Sequence, residues 1–234
     1  MTFLLSIDDT DIPTSRGTGR LARMIADTLS REFHVQAVTR HQLFLHDAIP
    51  YTSHNSCAVI HIEPCQMNQN DRIFSIARSV MESEFVEGSD PGIAIAHQSE
   101  VTPAVVTFGM DAKRRVLTQQ QARTLASNSS IRLEGLGGTE DGVIGAMAGL
   151  GLAVTGYDGR FIQKGMIREI RGPATAEKLL SAGVDIILTF DGVPITTGMI
   201  LVEEGKSVKP CPVSGKAVLF VEELDGVFHA VKRD

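Results

Sequence analysis

The 234-residue chain contains no tryptophan, and aromatic residues make up only 5% of it. Nucleic-acid-binding platforms that stack bases are built from aromatic side chains, so we do not expect an extensive platform of this kind. The three cysteines, Cys57, Cys65 and Cys211, are odd in number, and their spacings fit no zinc template. They are best interpreted as ordinary thiols of a reducing compartment.

Long apolar runs and excess positive charge are also missing. No apolar run approaches the roughly 18 residues that indicate a membrane span, and the first residues carry no secretory signal pattern. We therefore expect a cytoplasmic protein with no membrane partner. The formal net charge is −6, which argues against a broad nucleic-acid footprint but leaves room for a local basic groove.

Three carboxylates follow the first apolar run of the chain. Residues 3–7 predict a short buried strand, and Asp8, Asp9 and Asp11 lie where this strand leaves the core. Carboxylates this close repel one another unless a cation neutralises them. Oxygen ligands of this kind suit Mg²⁺. Phosphate oxygens usually complete the coordination shell of this ion. The alternative is that the acids only cap a turn or a helix.

A loop that suits an anion comes next. Thr10 lies among the acids, and Arg16, Gly17 and Thr18 lead into a helical pattern with Thr18 as the candidate N-cap. A helix N-terminus after such a loop can bind phosphate, and Arg16 could neutralise a transferred phosphoryl group. The spacing is not that of a Walker motif, because no Gly-Lys-Ser/Thr follows. One of the acids could instead act as a general base.

A second glycine-rich turn covers residues 135–142 and opens an apolar helix rich in small residues. The backbone amides of Gly137 and Gly138 could face phosphates, with Gly142 at the helix start. The alternative is a tight strand-to-helix turn, in which Glu140 and Asp141 favour the helix dipole.

The polar loop at residues 46–56 cannot be a central strand, because proline lacks the amide that a sheet needs. Substrate contacts concentrate on such loops, although a merely solvated loop is the alternative. The candidate substrate residues are Pro50, Tyr51, Thr52, Ser53, His54 and Asn55.

The remaining chain alternates between helical and strand patterns, which predicts an α/β (α+β) fold with a β-rich C-terminal end. Helices are predicted at 18–33, 70–85, 105–116, 118–127, 143–152 and 175–182. Strands are predicted at 35–45, 57–62, 93–97, 132–136, 153–155, 160–162 and 186–190, with a β pattern from residue 195 onward.

Several of these segments, in order, resemble archaeal agmatinylcytidine synthetase, an ATP-dependent enzyme that modifies the anticodon cytidine of an isoleucine tRNA. The most specific resemblance is the opening Ile-Asp-Asp-Thr-Asp at 7–11 followed by Arg-Gly-Thr at 16–18. Residues 49–59 align without gaps on the family's Ile-Pro-aromatic-Lys-Thr-Arg-Gly-Asn-Ala-Ala-Val stretch. Shorter similarities lie at 90–92, 142–146, 189–191 and 211–213.

The resemblance implies a kinase-like catalytic domain with an inserted ferredoxin-like domain. Carried over, residues 1–63 and 130–200 form the catalytic domain, 64–129 the insertion and 201–234 a β-rich C-terminal segment. Asp8, Asp9 and Asp11 match the family's magnesium- and ATP-handling acids, so the implied cofactors are ATP and Mg²⁺. Thr18 falls near the family's phosphorylated threonine when small gaps are allowed.

The chain also departs from the family pattern, mostly at positions where the family has basic residues that favour RNA binding. The family's lysine and arginine in the Pro50 loop are Thr52 and His54 here, its glycine is Asn55, and the basic residue before the second helix motif is Asp141. We therefore expect an ATP- and Mg²⁺-dependent phosphotransferase or ligase whose substrate is a small molecule rather than tRNA. The alternatives are a tRNA-modifying enzyme or its catalytic subunit, and a non-catalytic nucleotide-binding or regulatory module.

Overall fold

The computed structural model describes residues 2–52, 54–63 and 67–232. Within this part of the chain it contains two β-sheets and six α-helices, which confirms the mixed α/β class. The chain divides into two compact units, the first ending at Thr155 and the second beginning at Gly156. No helix among the described residues is both long and apolar enough to cross a bilayer.

The first unit alternates strands and helices. Its elements are β1 (Phe3–Asp8), α1 (Thr18–Leu29), β2 (Val35–Gln42), β3 (Ser56–Ile62), α2 (Asn70–Ser83), β4 (Gly92–His97), α3 (Pro103–Asp111), α4 (Gln119–Ser127), β5 (Arg132–Gly135) and α5 (Gly142–Val154).

Strand β1 lies in the middle of this unit's antiparallel sheet, whose strand order is β5-β4-β1-β3-β2. Leu5 pairs with Ile60 of β3 on one side and with Ile95 of β4 on the other. Every residue of β1 is buried. A strand buried on both faces has a nearly continuous apolar sequence, which is why residues 3–7 do not alternate with polar ones.

Helix α5 packs unusually close to the sheet, as its small residues predict. A Cβ atom built on Gly149 would lie 2.2 Å from Ser6 Oγ, and one on Gly151 would lie 2.1 Å from the Val105 carbonyl oxygen of α3. Neither position has room for a side chain. The strand predicted at 153–155 is wrong, because α5 continues to Val154 and includes this apolar segment as its last turn.

Several helices and strands end earlier than the sequence predicts. Helix α1 ends at Leu29 after burying Leu21, Ile25 and Leu29 on one face, and β2 ends at Gln42. Helix α3 ends at Asp111, so the residues predicted as its last turns instead form the connection to α4.

The second unit is mostly β. Its elements are β6 (Arg160–Lys164), β7 (Ala174–Thr175), α6 (Ala176–Ser181), β8 (Ile186–Thr189), β9 (Met199–Leu201), β10 (Cys211–Val213), β11 (Lys216–Leu224) and β12 (Val227–Val231). One sheet has the order β10-β11-β12-β9-β7, and β8 pairs with β11 in parallel. The β pattern predicted for the C-terminal end is confirmed. The four-segment division of the chain at residues 63, 129 and 200 stays a prediction.

Candidate functional site

Asp8 ends β1 with its carboxylate against helix α5. A Cβ atom on Gly145 would lie 1.6 Å from Asp8 Oδ2, so the carboxylate occupies the space that a side chain of α5 would need. Asp8 is only 8% exposed. The absence of a side chain at Gly145 therefore leaves the space that the Asp8 carboxylate fills.

The next residue turns the chain sharply. Asp9 has φ of 51°, in the left-handed region that non-glycine residues seldom adopt, although Asp tolerates it better than most. Backbone strain of this kind clusters at functional sites. The turn brings Asp11 to the start of α1.

Asp11 binds the first residue of α1. Its Oδ1 atom accepts hydrogen bonds from the backbone amide and the hydroxyl of Thr18, at 3.3 and 2.8 Å, and its Oδ2 atom accepts one from the Thr52 hydroxyl at 3.0 Å. The Thr10 hydroxyl donates to the Thr18 hydroxyl at 3.1 Å. The anion at this helix N-terminus is thus a carboxylate of the chain itself, and it ties the helix to the Pro50 loop.

The prediction that Thr18 is the N-cap is wrong. Gly17 occupies the cap position and has no side chain that could cap the helix. Thr18 is the first helical residue. Its hydroxyl is turned to Asp11 because a carboxylate at the helix N-terminus is favoured by both the helix dipole and the unpaired amides.

A cavity of about 330 Å³ opens in the first unit beside these residues. This volume lies at the lower end of the range for ligand sites. The walls combine the end of β1, the first turn of α1, the Pro50 loop, the α3–α4 connection and the start of α5. The residues that line it are Asp8, Asp9, Asp11, Thr18, Leu43, Ala48, Ile49, Pro50, Tyr51, Thr52, His54, Asn55, Ser56, Ala112, Arg115, Val116, Leu117, Thr118, Gln119, Asp141, Ile144 and Gly145.

The structure therefore brings most of the sequence candidates together. The three aspartates, Thr18 and the described members of the Pro50 loop face one cavity. Ser53 lies outside the described residues. Asn55 also has a structural role, because its side-chain amide donates to the Phe44 carbonyl at 2.7 Å and so holds the base of the loop.

Other candidates lie away from the cavity lining: Thr10, Arg16, Gly17, Gly137, Gly138 and Gly142. Arg16 is exposed. In the second glycine-rich turn, Gly138 has φ of 60° and the Thr139 amide donates to the Asp90 carboxylate. A carboxylate of the chain therefore already occupies this turn, and its predicted contact with a nucleotide stays a prediction.

Sequence reasoning missed the wall formed by the α3–α4 connection. Arg115, Thr118 and Gln119 line the cavity, and the Gln119 side chain donates to Asp141 Oδ1 at 2.7 Å. The signal that could have revealed this wall is the basic run at 113–115, which stands out in an acidic protein.

The acids at the end of β1 hold their protons unusually tightly. Burial, followed by the charges of Asp9 and Asp11, raises the pKa of Asp8 to about 8, and a hydrogen bond from the backbone of Asp9 and the positive charge of Arg40 offset only part of this rise. Burial, followed by the charges of Asp90, Asp11 and Asp141, raises the pKa of Asp9 to about 6. A cation placed here would relieve the repulsion among these carboxylates.

A preformed cage of protein ligands is not present in the described part of the chain, where no three His, Cys, Asp or Glu side chains converge as a metal-binding group. Calcium and zinc sites of the all-protein type need such a set. Magnesium differs, because it is commonly held by one or two carboxylates together with phosphates and water.

No family model matches the chain, and no curated protein matches it. Solved structures do. The crystal structure of apo TiaS, an agmatidine synthetase for an isoleucine tRNA, has a TM-score of 0.55 at 21% identity over 64% of this chain and 35% of that chain. The complex of TiaS with this tRNA and ATP has a TM-score of 0.56 at 22% identity, over 64% and 36% of the two chains. The complex of TiaS with the tRNA, AMPCPP and agmatine has a TM-score of 0.55 at 17% identity, over 84% and 52%.

These matches confirm the relation to agmatinylcytidine synthetase at the level of the fold. The chain spans between about a third and a half of the length of these structures. The expectation that a small molecule is favoured over tRNA as partner is wrong, because two of the matching structures are complexes with an isoleucine tRNA. One of them also contains agmatine, so a small molecule and a tRNA can occur together in this fold.

Proposed function

We propose that this chain is an ATP-dependent tRNA-modifying enzyme, or the catalytic part of one. The observation that carries the proposal is the cavity itself. It joins the aspartates at the end of β1, the first turn of α1 and the Pro50 loop, in a fold shared with the TiaS complex that contains ATP and an isoleucine tRNA. The departures from the family pattern favoured a small-molecule substrate, but the loss of basic residues in the Pro50 loop does not exclude RNA when another wall of the cavity carries an arginine.

Magnesium fits the chemistry of the donor set. Asp8 and Asp9 are carboxylates whose pKa values are raised by burial and by neighbouring negative charge, which is the electrostatic situation that a hard divalent cation relieves. We assign them as the residues that would hold Mg²⁺. When bound, the ion would neutralise the phosphate charge of ATP.

Asp11 has a different part in the proposal. Both of its oxygens already accept hydrogen bonds, from Thr18 and from Thr52. We propose that it positions the start of α1 and the Pro50 loop around the nucleotide, whereas Asp8 and Asp9 handle the metal. Positioning of this kind accounts for much of the catalysis in phosphoryl-transfer sites, where the protein forms few covalent bonds.

The apolar wall of the cavity completes the proposed site. Leu43, Ile49, Val116, Leu117 and Ile144 line it. A mixed surface with apolar walls and a few convergent polar groups is typical of pockets for nucleotides and other small ligands. Removing water from such a site strengthens the electrostatic interactions within it.

The finer architecture belongs to the same proposal. The resemblance implies that residues 1–63 and 130–200 act as a kinase-like catalytic domain, with 64–129 as a ferredoxin-like insertion and 201–234 as a β-rich segment. The similarity in fold to TiaS supports the relation as a whole, and the assignment of parts rests on the sequence resemblance.

The test is a direct assay of nucleoside mass. The protein is incubated with ATP, Mg²⁺, agmatine and an isoleucine tRNA transcript, and the digested nucleosides are analysed by mass spectrometry. We expect ATP consumption that depends on tRNA and a cytidine of increased mass. ATP consumption that is unaffected by tRNA, with every nucleoside unmodified, would contradict the proposal.

A further inference from the structure

The connection between α3 and α4 carries a basic run, Lys113, Arg114 and Arg115, in a protein of net charge −6. The run begins two residues after the last residue of α3, Asp111. The backbone amides of Arg114 and Arg115 donate to the Asp111 carbonyl at 2.9 and 3.0 Å, so the backbone of this turn is fixed.

Arg115 lies where the cavity meets solvent. It lines the cavity, yet its side chain is 63% exposed. Its guanidinium pairs with the Asp111 carboxylate one turn earlier. That pair aims the side chain, but a surface pair of this kind contributes little to stability.

The charges that line the cavity are unevenly distributed. Four carboxylates line it, from Asp8, Asp9, Asp11 and Asp141, and Arg115 is the one Lys or Arg among its described lining residues. A polyanion that approaches this cavity would be repelled by those acids that are ionised. A local cation at the opening reduces that barrier, and Arg offers a planar fork of donors that suits phosphate oxygens.

We propose that Arg114 and Arg115 bind phosphates of the RNA backbone at the opening of the cavity. The inference rests on the proposed function and names a contact surface for its tRNA. Arg114 is exposed and lies outside the cavity lining. A triphosphate held inside the cavity can reach Arg115 alone, whereas a polynucleotide that crosses the opening meets both arginines.

The test measures tRNA affinity as a function of salt. For single-stranded nucleic acid, each phosphate contact contributes about 0.7 to the slope of log affinity against log salt. We expect the Arg114→Ala/Arg115→Ala variant to reduce this slope by about 0.7 for each lost contact, between about 50 and 200 mM salt. In the single Arg114→Ala variant, whose side chain lies outside the cavity lining, the slope should also fall while the affinity for ATP stays unchanged. The Arg114→Lys/Arg115→Lys variant should retain the slope, because lysine keeps the charge.

Arg78→Ala is the matched control. Arg78 also pairs with an acid four residues away on a helix, Glu82 at 2.8 Å, and it is absent from the cavity lining. This control should leave the slope unchanged. The melting temperature of each variant, measured without RNA, separates a loss of binding from a loss of folding.

Three results would overturn the inference. If the double alanine variant binds tRNA with the same slope as Arg78→Ala, the basic run makes no backbone contact. If the variant loses affinity for ATP but not for tRNA, Arg115 serves the nucleotide instead. If the wild-type protein binds no tRNA at all, the proposed function fails together with this inference, whereas the first two results leave the proposed function intact.

Discussion

The Asp11 carboxylate accepts hydrogen bonds from both the backbone amide and the hydroxyl of Thr18, so an acid from the loop after β1 fixes the first residue of α1. A second contact, from Thr52, joins the same carboxylate to the Pro50 loop. Three walls of the cavity are therefore held by one side chain. This arrangement makes the geometry of the cavity sensitive to Asp11 and Thr18 even before any ligand is present.

The hydroxyl of Thr18 should matter for stability. Thr18→Val removes a hydrogen bond to Asp11 and another from Thr10 in a side chain that is 7% exposed, so we expect a loss of about 1–2 kcal/mol in the free energy of unfolding. Thr18→Ser keeps the hydroxyl and should lose less. Urea denaturation measures both.

The control for this prediction is Thr107→Val. The Thr107 hydroxyl is exposed and donates to the Pro103 carbonyl of its own helix, so its loss should change the free energy of unfolding by less than about 0.5 kcal/mol. Equal losses at Thr18 and Thr107 would show that the contact with Asp11 contributes nothing specific.

A side chain at position 145 should displace Asp8. Gly→Ala within a helix usually stabilises a protein by roughly 0.5–1 kcal/mol. At Gly145 the added Cβ would lie 1.6 Å from Asp8 Oδ2, so we expect Gly145→Ala to destabilise by about 1–3 kcal/mol.

A double-mutant cycle identifies the cause of that loss. In an Asp8→Ala background the carboxylate is gone, so Gly145→Ala should cost markedly less. Additive effects of the two substitutions would mean that Asp8 is not what fills the space beside Gly145.

Stability should fall as pH rises towards 8 when Mg²⁺ is absent. Asp8 has a folded-state pKa of about 8 against an ordinary value of 3.8, so between these values the folded state keeps a proton that the unfolded state has released. The stabilising effect of this proton is complete below the pKa of Asp8 in the unfolded state. It is lost as pH rises through the pKa of Asp8 in the folded state.

Partly buried His61 has the opposite effect on the free energy of unfolding at lower pH. Burial and the nearby His41 lower its pKa from 6.5 to about 3, so it adds stability as pH rises up to 6.5. The net decline in the free energy of unfolding is therefore clearest between about pH 6.5 and 8. Over this interval the proton on Asp8 corresponds to about 2 kcal/mol. Asp8→Asn should remove this decline in urea denaturation, and an equally steep decline in the variant would assign it to another group.

The first strand and its acids could be predicted from the sequence because a buried strand and the polar residues that follow it are local patterns. The same holds for α1, whose apolar residues recur at helical spacing. The position of Thr18 could not be predicted so well. Its cap preference is real, but a carboxylate seven residues earlier competes for its hydroxyl, and that competition arises only once the turn at Asp9 is formed.

The wall formed by Arg115, Thr118 and Gln119 shows the limit of local reasoning. These residues are about a hundred positions away from Asp8, and they reach the cavity because α3 ends at Asp111 rather than continuing through Val116. The helical period of the segment gave no sign of that early end. Arg16, by contrast, is close to the acids in sequence but exposed in the structure and absent from the cavity lining, so its predicted contact with a phosphoryl group stays a prediction.

Calorimetric titration with Mg²⁺ and a non-hydrolysable ATP analogue tests most directly whether the aspartates at the end of β1 bind a metal–nucleotide complex. We predict that the wild-type protein binds the complex, that Asp9→Asn weakens binding at least about tenfold, which is about 1.4 kcal/mol, and that Asp71→Asn, at an exposed acid in the first turn of α2, leaves it unchanged. Unaltered affinity in a folded Asp9→Asn protein would contradict the account.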